Sequence, residues 1–210
     1  MIRLILVDDH ALMRRGMREV LNEEKGLLIV GEAGRYEELQ ALLLTLSCDV
    51  LVLDINLPGP SGLDVLELLK ELATAPRALV VSMYPEDQYA VKALRAGAWG
   101  YVNKSADSAV LVNAIRTVAQ GRKYISPATA ALLVERLVTP VQTQPHDRLS
   151  DRELQTLVLI ASGHKLSEIA EQLSLSPKTV SVYRARLLEK IKLSTNAELT
   201  HYAIKNGLVK

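Results

Sequence analysis

Continuous apolar runs punctuate the first 120 residues, at 2–7, 27–30, 50–53 and 78–81, with a shorter one near 100–102. Between them apolar positions recur at helical spacing over 10–22, 36–46, 62–73, 86–96 and 107–119. Runs without a polar face predict strands buried on both sides, as in a parallel sheet covered by helices. Strand and helix alternate five times. Right-handed crossovers then predict an α/β doubly wound, flavodoxin-like sheet of five parallel strands.

The pattern changes after residue 120. Ser126-Pro127 opens a short helix, Ala128 to Leu137, with Ser126 as cap and Pro127 at the first position. The stretch 139–147 holds two prolines and no apolar period, and reads as a flexible linker. Residues 149–210 read as four helices. Ser150 and Glu153 form a capping box for the first, with Leu149 and Leu154 as its hydrophobic staple. The second runs over about 166–173, and the turn Ser174-Leu175 follows. Ser176 caps the third and Pro177 starts it. Leu193-Ser194 breaks that helix, and Thr195 with Glu198 boxes the fourth. The organisation is therefore 1–120, a connection 121–148, and a small all-α domain 149–210.

Two helices joined by a tight turn predict a helix-turn-helix. On the third helix Val180, Leu187, Leu188 and Ile191 fall on one stripe and are assigned to the core. Lys178, Ser181, Val182, Ala185 and Arg186 fall toward the other side, which would enter a DNA major groove. Thr179, Arg184, Lys190 and Lys165 are assigned to phosphate contacts, which fix register without reading sequence. Pattern alone leaves open a helical bundle for protein contact.

In doubly wound folds ligands sit beyond the carboxyl ends of the strands. Asp8 and Asp9 follow the first strand, Asp54 the third, Ser82 the fourth and Lys104 the fifth. Three carboxylates at one sheet edge repel unless a cation neutralises them. The types fit Mg²⁺, which takes hard oxygen ligands and keeps some water. Asp54 can attack a phosphoryl group and form an acyl phosphate. Lys104 and Ser82 can then bind phosphate oxygens. A lone Asp after a strand is usually a turn or cap; it is the coincidence at successive strand ends that carries the chemistry. No Gly-x-x-x-x-Gly-Lys-Ser/Thr loop occurs, and no Gly-x-Gly-x-x-Gly follows the first strand. These absences set aside P-loop and dinucleotide chemistry.

Charge sharpens the division. Residues 1–121 hold 12 Lys/Arg against 16 Asp/Glu, net −4, and residues 122–210 hold 13 against 8, net +5. An acidic front and a basic back suggest two modules with different partners. The single Cys48 excludes an intramolecular disulfide framework. The first apolar run stops at Asp8-Asp9, unlike a signal peptide. No apolar stretch approaches the ~20 residues that span a bilayer. A cytoplasmic protein with no membrane partner is expected.

The front module resembles the receiver domain of two-component response regulators. The matching pieces are Val7-Asp8-Asp9-His10, Asp54-Ile55-Asn56-Leu57-Pro58-Gly59, Ser82, Gly97-Ala98-Trp99-Gly100-Tyr101 and Lys104. Residues 149–208 resemble the LuxR-type output domain. They carry Leu-Ser-x-Arg-Glu, Gly163, Glu168-Ile169-Ala170, Leu173, Leu175-Ser176-Pro177-Lys178-Thr179-Val180, Tyr183-Arg184 and Lys190-Ile191. Together these resemble the NarL/FixJ family, and within it the GacA/UvrY group.

The resemblance implies a phosphorylation-controlled transcription factor and no enzyme. A sensor histidine kinase would donate phosphate to Asp54. Asp8, Asp9 and Asp54 would hold Mg²⁺, with the backbone carbonyl of Asn56 completing the site. Ser82 and Tyr101 would form a switch pair beside Lys104, and Asn56 and Tyr84 would influence dephosphorylation. The active form would be a homodimer on double-stranded promoter DNA, with RNA polymerase as a candidate further partner. Aspartate-based phosphohydrolases, which also form an acyl phosphate, usually place a second Asp two residues after the nucleophile; here that position is Asn56. Three departures stand out. Ser105 occupies the position after Lys104 where many receivers have Pro. Lys165-Leu166 makes a weaker start to the second output helix, by ~1 kcal/mol. Ser181 and Ala185 stand where several relatives read bases with lysines.

Overall fold

The computed structural model describes residues 1–72, 74–138 and 144–209. The chain divides into two compact units, Met1–Val138 and Thr139–Lys210.

The first unit is a five-stranded sheet in the order β2-β1-β3-β4-β5. All neighbours run parallel: β1 Ile2–Val7, β2 Leu27–Ala33, β3 Val50–Leu53, β4 Arg77–Ser82 and β5 Gly100–Asn103. The order reverses between β1 and β3, which makes that crevice the switch point. Every residue of β3 is buried, as the unbroken apolar run demands. Leu4, Leu6, Val50, Val52, Leu79 and Val81 pack on Met17 and Leu21 of α1 (Ala11–Asn22). The same cluster takes Leu111, Val112, Ile115 and Val118 from α5 (Ser108–Ala119). The alternate strand residues Ile5, Leu51 and Val80 are equally buried. Buried faces of α2 (Tyr36–Thr45), α3 (Gly62–Leu69) and α4 (Glu86–Ala96) cover the sheet's other side.

Two elements differ from the apolar pattern. β2 runs on to Ala33, past the end of its apolar run. It is an edge strand, so polar residues are tolerated on it, and Glu32 there is held by Arg18 of α1 at 3.0 Å. Helix α3 stops at Leu69 rather than near 73; residue 73 itself lies outside the described residues. Its start is closely specified. Ser61 caps it, and Asp64 completes a capping box. Gly62 packs where a Cβ would overlap the Asp54 carbonyl oxygen and lie 2.7 Å from Ile55 Cα. That close approach folds the loop after β3 back on itself.

The helix placed in the connection packs on the first unit instead. Helix α6 (Pro127–Val138) lies against α4. The Glu86 carboxylate accepts from the hydroxyls of Ser126 and Thr129, and Thr129 is 2% exposed. The linker stretch 139–143 lies outside the described residues.

The second unit opens with a 3-10 turn, Pro145–Arg148, followed by α7 (Asp151–Ala161), α8 (Leu166–Gln172), α9 (Pro177–Ile191) and α10 (Asn196–Lys205). Ser150 and Glu153 make the capping box of α7, and Leu149 and Leu154 are both buried beside it. Thr195 and Glu198 make that of α10. At α8 the Glu168 carboxylate accepts from the Lys165 backbone N–H at 2.9 Å. Half of a capping box is therefore present despite the missing hydroxyl. Ser176 caps α9. Ser174 (φ 53) makes the turn before α9, and Lys192 (φ 61) ends it. Helix α9 packs on α7 and α8, burying Val180, Leu187 and Ile191.

Candidate functional site: an acidic pocket and a recognition helix

The carboxyl ends of β1, β3 and β5 bring one cation between two buried acids. Lys104 Nζ lies 2.6 Å from Asp8 Oδ2 and 2.7 Å from Asp54 Oδ2. Asp8 is fully buried, and the side chains of Asp54 and Lys104 are 3% and 4% exposed. Backbone hydrogen bonds continue the sheet into the site. Asp8 N–H donates to Ala33 O, Asp54 N–H to Val7 O, and Lys104 N–H to Ser82 O. The strand ends are thus locked together, and their first side chains beyond the sheet converge.

Burial raises the Asp54 pKa to about 6; Lys104 pulls it down, Asp8 pushes it up, and a hydrogen bond from the Asn56 backbone lowers it again. Burial alone would lower the Lys104 pKa, but Asp54 and Asp8 outweigh it and hold the ammonium more tightly protonated than usual. Asp9 completes the acidic edge, its side chain 17% exposed.

Donor atoms of Asp8, Asp9, His10 and Asp54 lie within 4.8 Å of one another. Hard carboxylate oxygens dominate this set, and Lys104 faces two of them, so the residues fit a divalent cation. His10 is a member that sequence reasoning misses. Its Nδ1 is 2.6 Å from Asp9 Oδ1, and its backbone N–H donates to Asp8 Oδ1 at 2.8 Å. A histidine directly after the acid pair is the available signal. Arg14 is a second: its guanidinium donates to the Asp8 carbonyl. It lies six residues away, on the first exposed turns of α1, and nothing local marks it.

Ser82 and Tyr101 both bond to the backbone of Tyr84. The Tyr84 N–H donates to Ser82 Oγ at 3.3 Å. The Tyr101 hydroxyl donates to the Tyr84 carbonyl at 2.7 Å, and Asn103 Nδ2 donates to the same oxygen at 3.0 Å. Tyr101 is buried, so its ring sits inside the unit. The Tyr84 ring stacks on Tyr89 of α4, 4.6 Å between centroids. Ser105 bonds locally, its N–H and hydroxyl both donating to Asn103 Oδ1. Asn56 is half-buried in the loop after Asp54.

On α9, Lys178, Ser181, Val182, Ala185 and Arg186 are exposed along one side. Thr179 is half-buried, its hydroxyl 2.8 Å from that of Ser176. Two of the assigned phosphate contacts have partners within the unit. Arg184 Nε donates to Asn196 Oδ1 at 2.6 Å. Lys190 Nζ is 2.6 Å from Glu153 Oε2, whose side chain is 3% exposed. Burial alone would raise the Glu153 pKa, but Lys190 and the Ser150 N–H hold it below the usual value. Lys165 is exposed.

Comparison with known proteins matches both regions. The family described as "Response regulator receiver domain" matches residues 4–116. "Bacterial regulatory proteins, luxR family" matches residues 147–203. Response regulator UvrY of Escherichia coli K12 is 38% identical over 209 residues, covering 99% of this chain and 96% of UvrY. Response regulator GacA of Pseudomonas aeruginosa PAO1 is 38% identical over 210 residues, covering 100% and 98%. Among solved structures, the RcsB response regulator of Salmonella typhimurium is 25% identical with a TM-score of 0.60, covering 98% of this chain and all of that one. No helix among the described residues is long and apolar enough to cross a membrane. The chain belongs to the response regulators that join a receiver domain to a LuxR-type DNA-binding domain.

Proposed function

We propose that a sensor histidine kinase phosphorylates Asp54 in a Mg²⁺-dependent reaction, and that the modification controls dimerisation and sequence-specific DNA binding. Residues 1–120 carry the phosphoacceptor, 121–148 the connection, and 149–210 the DNA contact. The observation that carries this reading is the buried Asp8–Lys104–Asp54 arrangement, with Lys104 Nζ within 2.7 Å of both acids. A desolvated ammonium held against the nucleophile is poised to accept the charge of a new phosphoryl group.

Asp8, Asp9, Asp54 and the Asn56 carbonyl would hold Mg²⁺. When bound, the ion neutralises the carboxylates and the phosphoryl oxygens so that like charges can approach. The Asp54 carboxylate oxygen attacks phosphorus, and the bond to the donor histidine breaks as the acyl phosphate forms. Lys104 moves from pairing Asp54 to pairing a phosphate oxygen. Ser82 Oγ turns from the Tyr84 N–H toward the phosphate, which shifts the segment that also anchors the Tyr101 hydroxyl.

Output is assigned to α9. Lys178, Ser181, Val182, Ala185 and Arg186 face the bases, while Lys165, Thr179, Arg184 and Lys190 face phosphates, the last two after exchanging their present partners. RcsB is described as dimers bound to DNA, and a homodimer on promoter DNA, acting in the cytoplasm and addressing RNA polymerase, is proposed for this chain.

The test is a DNA-binding titration of wild type and Asp54→Asn, with Mg²⁺ and with or without a small-molecule phosphodonor, on genomic fragment pools. Tighter binding with donor for wild type alone supports the reading. Equal binding regardless of donor refutes the switch while leaving the DNA-binding output standing. Affinity should fall steeply with salt, because phosphate neutralisation releases counterions.

A further inference from the structure

The strand that delivers Lys104 ends on a side-chain amide held at both ends. Tyr101 and Asn103 are two residues apart on β5, so their side chains project from the same face of the sheet. Both reach the Tyr84 carbonyl, the Tyr101 hydroxyl at 2.7 Å and Asn103 Nδ2 at 3.0 Å. A carbonyl oxygen has two lone pairs, enough for both donors. The other end of the Asn103 amide is engaged as well. Its Oδ1 accepts from the Ser105 N–H at 2.9 Å and from the Ser105 hydroxyl at 2.6 Å. These partners fix which way the amide faces. Flipped, it would set its NH₂ group against the Ser105 N–H and its oxygen against the Tyr84 carbonyl.

Lys104 lies between the two anchors. Its N–H donates to the Ser82 carbonyl at 2.8 Å, and its ammonium sits against Asp8 and Asp54. The residue before it is tied to the loop between β4 and α4, and the residue after it is tied back to Asn103. Ser105 makes the second tie possible, because a proline there would have neither an N–H nor a hydroxyl to give. The clasp therefore uses the very position at which this chain departs from many receivers.

We infer that Asn103 is a positioning residue for phosphoryl transfer, clasping the Lys104 loop to the Ser82–Tyr84 segment so that the two move as one body. This rests on the phosphorylation reading above and deepens it by naming what keeps Lys104 in register with the switch segment. With the clasp closed, the ammonium follows the developing charge from Asp54 to the phosphate, and Ser82 arrives with it. With the clasp open, Lys104 must be ordered again for each transfer, and the acyl phosphate is less well covered against water.

The experiment uses the full chain in Mg²⁺ with acetyl phosphate as donor. Intact-mass spectrometry follows phosphate on the protein during uptake and, after donor removal, during decay. At saturating Mg²⁺ and donor, Asn103→Ala should take up phosphate about fivefold more slowly and lose it about fivefold faster, the size of one ordinary hydrogen bond expressed in a rate. The Mg²⁺ concentration for half-maximal uptake should stay that of wild type, because no carboxylate is touched. Ser105→Pro should reproduce both changes, and the double variant should add nothing to either single one. Ser105→Ala, which keeps the N–H, should fall between wild type and Ser105→Pro. A residue that only supported the fold would lower the unfolding midpoint and leave uptake and decay as they are. Wild-type uptake and decay in Asn103→Ala or in Ser105→Pro overturns the inference, as do effects that add in the double variant. Ser105 is exposed, so its variants decide the matter even where Asn103→Ala fails to fold. A wild-type chain that takes up no more phosphate than Asp54→Asn overturns the phosphorylation reading itself.

Discussion

Replacing Asp54 by Asn should make the first unit more stable, although it removes half of the buried ion pairing around Lys104. The Asp54 pKa stands near 6 against an ordinary 3.8. Ionising this carboxyl in the native site is therefore harder than in the unfolded chain. A pKa raised that far corresponds to a penalty of about 3 kcal/mol on the ionised form. Between pH 3.8 and about 6 the native state holds a proton that the unfolded chain has released, so stability falls as pH rises through that window. Above it the full penalty applies. Asn is a neutral isostere and carries no such penalty. With a chelator present at neutral pH, Asp54→Asn should exceed wild type by up to about 3 kcal/mol. For a unit of this size that is roughly 6–12 °C in its unfolding midpoint. Calorimetry on the full chain measures it, because the acidic unit's transition alone should move. The gap should close below about pH 4, where both side chains are neutral. Added Mg²⁺ should narrow it from the other direction by stabilising wild type. A variant less stable than wild type, or a gap that does not change with pH, would refute the reasoning.

Lys104→Met should have the opposite sign: it leaves Asp8 and Asp54 facing each other in a buried site, which costs about 3–5 kcal/mol. Calorimetry in chelator should show the loss, and divalent ions should recover part of it. Gly62→Ala places a Cβ 2.7 Å from Ile55 Cα, so the loop carrying Asp54 to Asn56 must move. A loss of roughly 3 kcal/mol or more is expected, together with slower phosphodonor uptake followed by mass spectrometry. Glu86→Ala removes the acceptor for Ser126 and Thr129. Limited proteolysis should then cut within 127–138 faster, at unchanged donor uptake. Lys190→Met tests the second unit. The depressed Glu153 pKa contributes stability that is complete above about pH 4.5 and fades as pH falls through its lower native value. In Lys190→Met the native pKa of Glu153 should move back toward or above 4.5, so that acid-dependent loss should shrink, as read from a flatter pH dependence of the unfolding midpoint below pH 4.5.

The features legible in the sequence are those whose cause lies within one strand or one helical turn. A strand covered on both faces must be apolar throughout, so β3 and the position of Asp54 at its end follow from four letters. Capping boxes span three residues, so Ser150 with Glu153 and Thr195 with Glu198 can be named in advance. The apolar run stops short of the end of β2 because an edge strand may carry Gly31 and Glu32, and that polar end is supported by α1 rather than by its own pattern. The long-range polar contacts leave no periodic trace. Ser126 and Thr129 meet Glu86 some 40 residues away, and that meeting makes the helix of the connection part of the first unit. Lys190 meets Glu153 across 37 residues. On helix periodicity it falls among the cations that could face phosphate, and the partner it holds in the structure, an acid in its own unit, leaves no mark on that pattern. The same distinction separates the two halves of the site. The acidic pocket is legible because the sheet delivers its residues to one edge by a rule of topology. The reading face of α9 is legible only as a face. Which of its side chains already hold partners inside the protein depends on residues such as Asn196, Pro177 and Glu153, and those appear only once the helices are packed.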